Sequence, residues 1–133
     1  SLQALQMLLT ARADANKATY SGNTPMCCVV QKNNIGALEM LLAGDTDVNI
    51  ATRDGETPAF VAAKGDCYDA LSLLLTARAD SNKAKNSNRA TPLICAAEYN
   101  SSRCVMALLA ARADVNAAMQ AGATATYLAA EKS

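Results

Sequence analysis

Four near-copies of one segment constrain this chain more than any other feature. Leu5 to Asn16 reads LQMLLTARADAN, Leu38 to Asn49 LEMLLAGDTDVN, Leu71 to Asn82 LSLLLTARADSN and Val105 to Asn116 VMALLAARADVN. The closing residues Asn16, Asn49, Asn82 and Asn116 stand 33, 33 and 34 positions apart. A second mark keeps the same beat: Thr24-Pro25, Thr57-Pro58, Thr91-Pro92 and the variant Thr124-Ala125. Two independent marks on one period define a repeat array. Each unit is too small to bury its own apolar face, so stacked neighbours must share a ribbon-like core.

Within a unit the apolar spacing is helical. Leu2, Leu5, Leu8 and Leu9 fall on one face of a helix over Ser1 to Thr10, which is too short to persist alone. Each threonine reads as an N-cap, with proline at the first helical position, where its missing N–H has no role. Pro25 to about Lys32 forms a short helix, Asn33-Asn34 breaks it, and Leu38 to Ala43 lies in a second helix. Ala62-Ala63 and Leu71 to Leu75 repeat the pair, as do Ala96-Ala97 and Val105 to Leu109, and Thr124 opens a last short helix. No stretch alternates like a strand, so β character is confined to short hairpins between units. The predicted fold is an all-α repeat solenoid of stacked helix-turn-helix units joined by short β-hairpin-like loops. The units are a partial repeat at 1–16 with only a second helix, repeats at 17–49, 50–82 and 83–116, and a partial repeat at 117–133 with only a first helix.

These residues resemble the ankyrin repeat, with its Gly-x-Thr-Pro start, Ala-Ala pair, Leu-Leu and closing Ala-Asp-Val-Asn. Here they stand as Gly55-Glu56-Thr57-Pro58-Ala59-Phe60, Ala62-Ala63, Leu74-Leu75 and Ala113-Asp114-Val115-Asn116. The resemblance covers the whole chain. The tetratricopeptide repeat, of similar period, needs aromatics at fixed helix positions, and only five aromatics occur here. Three departures stand out. The histidine the family places after Thr-Pro-Leu is replaced by Cys27, Phe60, Ile94 and Tyr127, which exchanges a polar tie for apolar packing. The glycine ending the second helix, at the left-handed position, is replaced by Arg12, Asp45, Arg78 and Arg112. The three arginines form a row at one edge, facing the negative ends of helix dipoles, most simply as solvated structural residues. The stretch from Asn82 to Thr91 is one residue longer than in the other copies, and Arg89 takes the place of Gly22, Gly55 and Gly122. That hairpin should bulge, with Asn86 or Asn88 supplying the positive φ.

Composition sets the function classes aside one by one. Lys+Arg and Asp+Glu are both 12 and spread along the chain, which speaks against nucleic acid or an anionic membrane as partner. No apolar run approaches the roughly 18 residues of a membrane span. With no histidine the commonest general base is missing, and there is no Gly-rich phosphate loop. The cysteines Cys27, Cys28, Cys67, Cys95 and Cys104 are odd in number and form no CxxC pair. They read as small buried hydrophobes without a metal or disulfide framework, in a reducing intracellular compartment, most simply the cytoplasm, with organelle import left open. Cys67, between Asp66 and Tyr68 at a turn, is the thiol expected to be most exposed. Asp14, Asp47, Asp80 and Asp114 hold one repeated position and read as hairpin hydrogen-bonders.

The remaining expectation is a non-enzymatic binding scaffold without cofactor or metal. By resemblance to the family, contacts lie on a concave face made of hairpin tips and the residues after each Ala-Ala pair. In this chain those are Tyr20, Ser21, Asn23, Gln31 and Lys32, then Arg53, Asp54, Glu56 and Lys64. Ser87, Asn88, Glu98 and Tyr99 follow, and then Gln120, Glu131 and Lys132. Mixed charge with tyrosines suits a protein or peptide partner, with Tyr20 and Tyr99 as anchors. The alternative is an architectural subunit, or a segment of a longer array within a larger complex, that makes contact through ends lacking polar caps.

Overall fold

The computed structural model describes residues 1–133. Eight helices follow in order: α1 (Leu2–Thr10), α2 (Pro25–Gln31), α3 (Ile35–Ala43), α4 (Pro58–Lys64), α5 (Tyr68–Thr76), α6 (Pro92–Glu98), α7 (Ser102–Ala110) and α8 (Ala125–Lys132). The threonine before each short helix caps it from its own side chain. Thr24, Thr57, Thr91 and Thr124 Oγ1 accept from the N–H groups of Cys27, Phe60, Ile94 and Tyr127 at 3.2, 3.2, 3.3 and 3.3 Å. Short helices α2, α4, α6 and α8 stack on one another in one layer, and α1, α3, α5 and α7 stack in a second. Pairing of α2 with α3, α4 with α5 and α6 with α7 joins the layers.

The core runs between these layers as one cluster. Met26, Leu38, Leu41, Leu71, Leu74, Ile94 and Leu108 are its largest fully buried apolar side chains. Alanines do the rest: Ala62-Ala63 and Ala96-Ala97 are buried, and their lack of bulk lets neighbouring helices approach closely. There is no strand, and β pairing is limited to one antiparallel bridge between Ala118 and Thr124.

A hydrogen-bond ladder ties the units together along one edge. The carboxylates of Asp14, Asp47, Asp80 and Asp114 accept from the N–H two residues on, at Asn16, Asn49, Asn82 and Asn116. The Oδ1 atoms of Asn16, Asn49 and Asn82 in turn accept from the N–H groups of Asp47, Asp80 and Asp114 at 2.9, 2.7 and 2.7 Å. The repeated Asp-x-Asn thus stiffens its own turn and clamps the next one.

Helix ends agree with the sequence at three positions and differ at the fourth. Arg12, Arg78 and Arg112 adopt φ of 61, 66 and 61°. Each donates its N–H, and passes the next N–H, to carbonyls of the preceding turn, as at Arg78 to Leu75 and Ala79 to Leu74. Asp45 does not take that conformation. Helix α3 instead leaves through Gly44 in extended geometry, with Gly44 N–H on Leu41 O, so no residue there is forced into the left-handed region. In the long hairpin the expected bulge is present: Arg89 N–H closes on Lys85 O and Lys85 N–H on Ala90 O, one residue wider than the Gly55-to-Thr52 turn. The positive φ, however, belongs to Arg89 itself at 62° and not to Asn86 or Asn88. Those asparagines act as hydrogen-bonders, Asn88 Oδ1 accepting from Ala90 N–H and Asn86 Nδ2 donating to Arg53 O.

Candidate protein interface

Successive hairpin tips are tied to each other, which fixes the surface that they present. Asn86 N–H donates to Asp54 O at 2.7 Å and Gln120 N–H to Asn88 O at 2.8 Å. The Arg53 guanidinium donates to Tyr20 O. Gly22 and Gly55 allow this close stacking: a Cβ on Gly22 would lie 2.7 Å from Arg53 Cβ, and on Gly55 2.7 Å from Asn86 Oδ1. Both also take positive φ, 85 and 81°, which favours glycine at each for a second reason.

A charged chain runs from the tips to the first helices. Lys85 Nζ lies 3.1 Å from Asp54 Oδ2 and 3.3 Å from Glu56 Oε1, and Lys64 Nζ lies 3.3 Å from the same Glu56 oxygen. Ser87 donates to Asp54 from both its N–H and its hydroxyl, at 3.1 and 3.0 Å. The hydrogen bond from Lys85, with those from Ser87, holds the Asp54 carboxyl below the usual carboxylate range, and the bonds to Asp54 and Glu56 raise Lys85. This arrangement locks side chains in place across neighbouring tips.

Of the residues expected to make contact, Arg53, Asp54, Glu56, Lys64 and Ser87 are therefore brought together, bonded across neighbouring tips and helices. Tyr20 projects fully from its tip at 102% exposure, and Tyr99, the C-cap of α6, is 56% exposed. Ser21 bonds Thr19 at 2.8 Å beside Tyr20, and Asn23 is half-buried with an Oδ1 that has no partner. Asn88 is half-buried in the long loop and Gln120 is exposed. Gln31 and Lys32 at the end of α2, Glu98 at the end of α6, and Glu131 and Lys132 at the end of α8 are exposed without ionic partners. Lys85 was missed from the sequence although it is the hub of the charged chain. No local signal in the sequence marked it, because the acidic tip of Asp54 and Glu56 that it meets has no acidic counterpart in the other hairpins.

The cysteines correct one expectation. Cys67 is buried, not exposed, because it sits at the N-cap of α5 with Sγ turned onto Gly65 O at 3.5 Å. Burial raises its thiol, and raises those of Cys95 and Cys104 to about 12. Only Cys28 is partly accessible. Among the positions where the family has histidine, Phe60 and Ile94 pack in the core as expected, whereas Cys27 keeps a weak polar tie to Ile50 O and Glu56 O at 3.9 and 3.8 Å. Tyr127, in the same position of α8, is exposed.

Paired helices on a 33-residue beat with hairpin tips aligned on one side define the class. The family described as Ankyrin repeats (3 copies) matches residues 1–85, and Ankyrin repeat matches residues 88–119. The chain belongs to the ankyrin repeat family. No curated protein matches it. Ankyrin repeats are generally protein–protein interaction modules and typically non-enzymatic. No helix is long and apolar enough to cross a membrane.

Proposed function

We propose that the chain binds a protein or peptide partner, without catalysis, on the concave face made of its hairpin tips and first helices. One observation carries this reading: the tips are cross-bonded into a fixed row, and the exposed Tyr20 and Tyr99 side chains make no hydrogen bond of their own. A preordered surface loses little entropy on binding, and tyrosine adds large contact area for few rotatable bonds. Free Lys32, Glu98, Glu131 and Lys132 leave both charge signs available, which favours a partner of mixed charge over a polyanion.

The test is a capture experiment from source lysate with two baits, read by mass spectrometry. One bait is the native chain and the other carries Tyr20→Ala and Tyr99→Ala, changes at exposed positions that leave the core intact. A partner held by the native bait and lost from the double variant supports this face. A partner held equally by both places recognition elsewhere on the molecule.

A further inference from the structure

We propose that Ser87 is a phosphorylation site for a serine kinase that selects basic flanks, and that phosphate there severs its hairpin from the carboxylate of Asp54. The inference concerns the lengthened hairpin alone and does not depend on what the concave face binds.

Charge is the first observation. Lys83 and Lys85 precede Ser87 by four and two positions, Arg89 follows it by two, and no acid lies among residues 83–89. A kinase with an acidic groove beside its active site is matched to such a segment. Two other exposed serines lack that setting. Ser21 has only Lys17 within four positions, and Ser102 has only Arg103, with Glu98 on its other side.

Shape is the second. Four hydroxyl residues have an arginine two positions on: Thr10, Thr76, Ser87 and Ser101. Thr10 and Thr76 are the last residues of α1 and α5, and their hydroxyls turn back onto Gln6 O and Ser72 O at 2.8 and 2.9 Å. Ser101 is buried at the N-cap of α7, its hydroxyl on Ala63 O. Ser87 alone of the four is exposed and outside any helix, in a loop one residue wider than its counterparts. An incoming enzyme can draw such a loop into an extended path without unwinding a helix.

The third observation is what the hydroxyl does. Ser87 Oγ donates to Asp54 Oδ2 at 3.0 Å, Ser87 N–H donates to Asp54 Oδ1 at 3.1 Å, and Lys85 Nζ lies 3.1 Å from Asp54 Oδ2. Phosphoryl transfer from ATP forms the Ser87 Oγ–P bond and breaks the bond from the γ-phosphorus to the oxygen that leaves with ADP. The hydroxyl proton passes to the kinase's own base. Phosphoserine Oγ then has no proton to give Asp54, and a group of about −1.5 to −2 charge stands within hydrogen-bond range of a carboxylate. Lys85, on the same hairpin, is drawn from Asp54 to the more highly charged phosphate. The two tips stay joined only through Asn86, whose N–H bonds Asp54 O and whose Nδ2 bonds Arg53 O. The neighbouring junctions are made differently, by Arg53 on Tyr20 O and by Gln120 N–H on Asn88 O, so the effect is confined to one junction of the row.

The test treats the native chain, Ser87→Ala and the double variant Lys83→Gln, Arg89→Gln with a purified basophilic serine/threonine kinase and Mg·ATP, with sites mapped by mass spectrometry. Lys83 and Arg89 are exposed and their side chains make no hydrogen bond or ion pair, so the double variant keeps the fold. Phosphate is expected on Ser87 of the native chain, with Thr10, Thr76 and Ser101 unmodified and the Ser87→Ala chain unlabelled. The double variant should lose about tenfold or more in kcat/KM. No phosphate on Ser87, equal labelling of Thr10 or Thr76, or a double variant modified as fast as the native chain would each overturn the site. Amide hydrogen exchange then reads the consequence. The Ser87 N–H should exchange about tenfold faster once phosphorylated, as one charge-assisted bond is lost. In Asp54→Asn, whose neutral amide repels no phosphate, phosphorylation should leave that rate nearly unchanged. Unaltered protection in the native phosphoprotein, or the same acceleration in Asp54→Asn, would overturn the severing of the two tips.

Discussion

Helices α1 and α5 share their alanine, three leucines and closing threonine in different surroundings. LQALQMLLT and YDALSLLLT share alanine and leucines at the same places, yet α5 buries Ala70, Leu71 and Leu74 while α1 buries no residue fully. The first helices repeat the lesson: α4 and α6 each bury six residues, whereas α8, with a neighbour on one side, buries Ala125 and Leu128. In a stacked array, what a leucine contributes is set by the units on either side of it more than by its own helix.

The largest effect that sharpens this contrast is Leu74→Ala against Leu8→Ala. Truncating fully buried Leu74 should destabilise the chain by about 2–5 kcal/mol, through lost burial and a residual cavity. The same change at Leu8 should stay within about 0.5 kcal/mol, as expected of a surface position. Urea denaturation of both variants measures the difference, and equal losses would break the comparison.

An intermediate effect concerns helix ends. Arg78 sits at φ 66°, where a side chain costs about 1–2 kcal/mol and glycine's extra flexibility about 0.5–1 kcal/mol. Arg78→Gly should therefore stabilise by up to about 1.5 kcal/mol, the largest difference of those two costs. Asp45→Gly should give no such gain, because Asp45 is not left-handed. Thermal melts of the two variants decide this, and a gain at Asp45 matching that at Arg78 would contradict the assignment of the α3 end.

How legible all this was in the sequence depends on how local the signal is. Thr-Pro caps, leucine spacing and Asp-x-Asn turns act within a few residues, so the helices, their order and the repeat could be read directly. The exit of α3 was misjudged because register alone put Asp45 at the left-handed position, while Gly44 one residue earlier offered an easier extended route. Arg89 was misjudged because asparagine's tolerance of positive φ was weighed against arginine's without knowing that both asparagines are engaged in hydrogen bonds. Lys85 was invisible for a similar reason: its partners Asp54 and Glu56 are 31 and 29 positions away, and only the stacking of hairpins brings them together. The exposed tyrosines Tyr20 and Tyr99 were nameable from repeat register, but which charged tips are bonded internally required coordinates.

The smallest effect is electrostatic. Asp54 is lowered, so its contribution is present above the ordinary carboxylate range and disappears as pH falls through its lowered folded value. Lys85 is raised, so its contribution is present below the ordinary lysine range and disappears as pH rises through its raised folded value. The melting temperature of Asp54→Asn should thus fall slightly below that of the native chain between those limits, and the gap should close towards both. A gap that persists in strong acid would show that the carboxylate charge is not its source.

The most direct test of the central claim, that neighbours decide what each repeated helix contributes, is residue-resolved amide hydrogen exchange in dilute solution. The α4, α5 and α6 amides should exchange most slowly, with α1 and α8 orders of magnitude faster despite the matched sequences of α1 and α5. Equal protection of α1 and α5 would contradict the account.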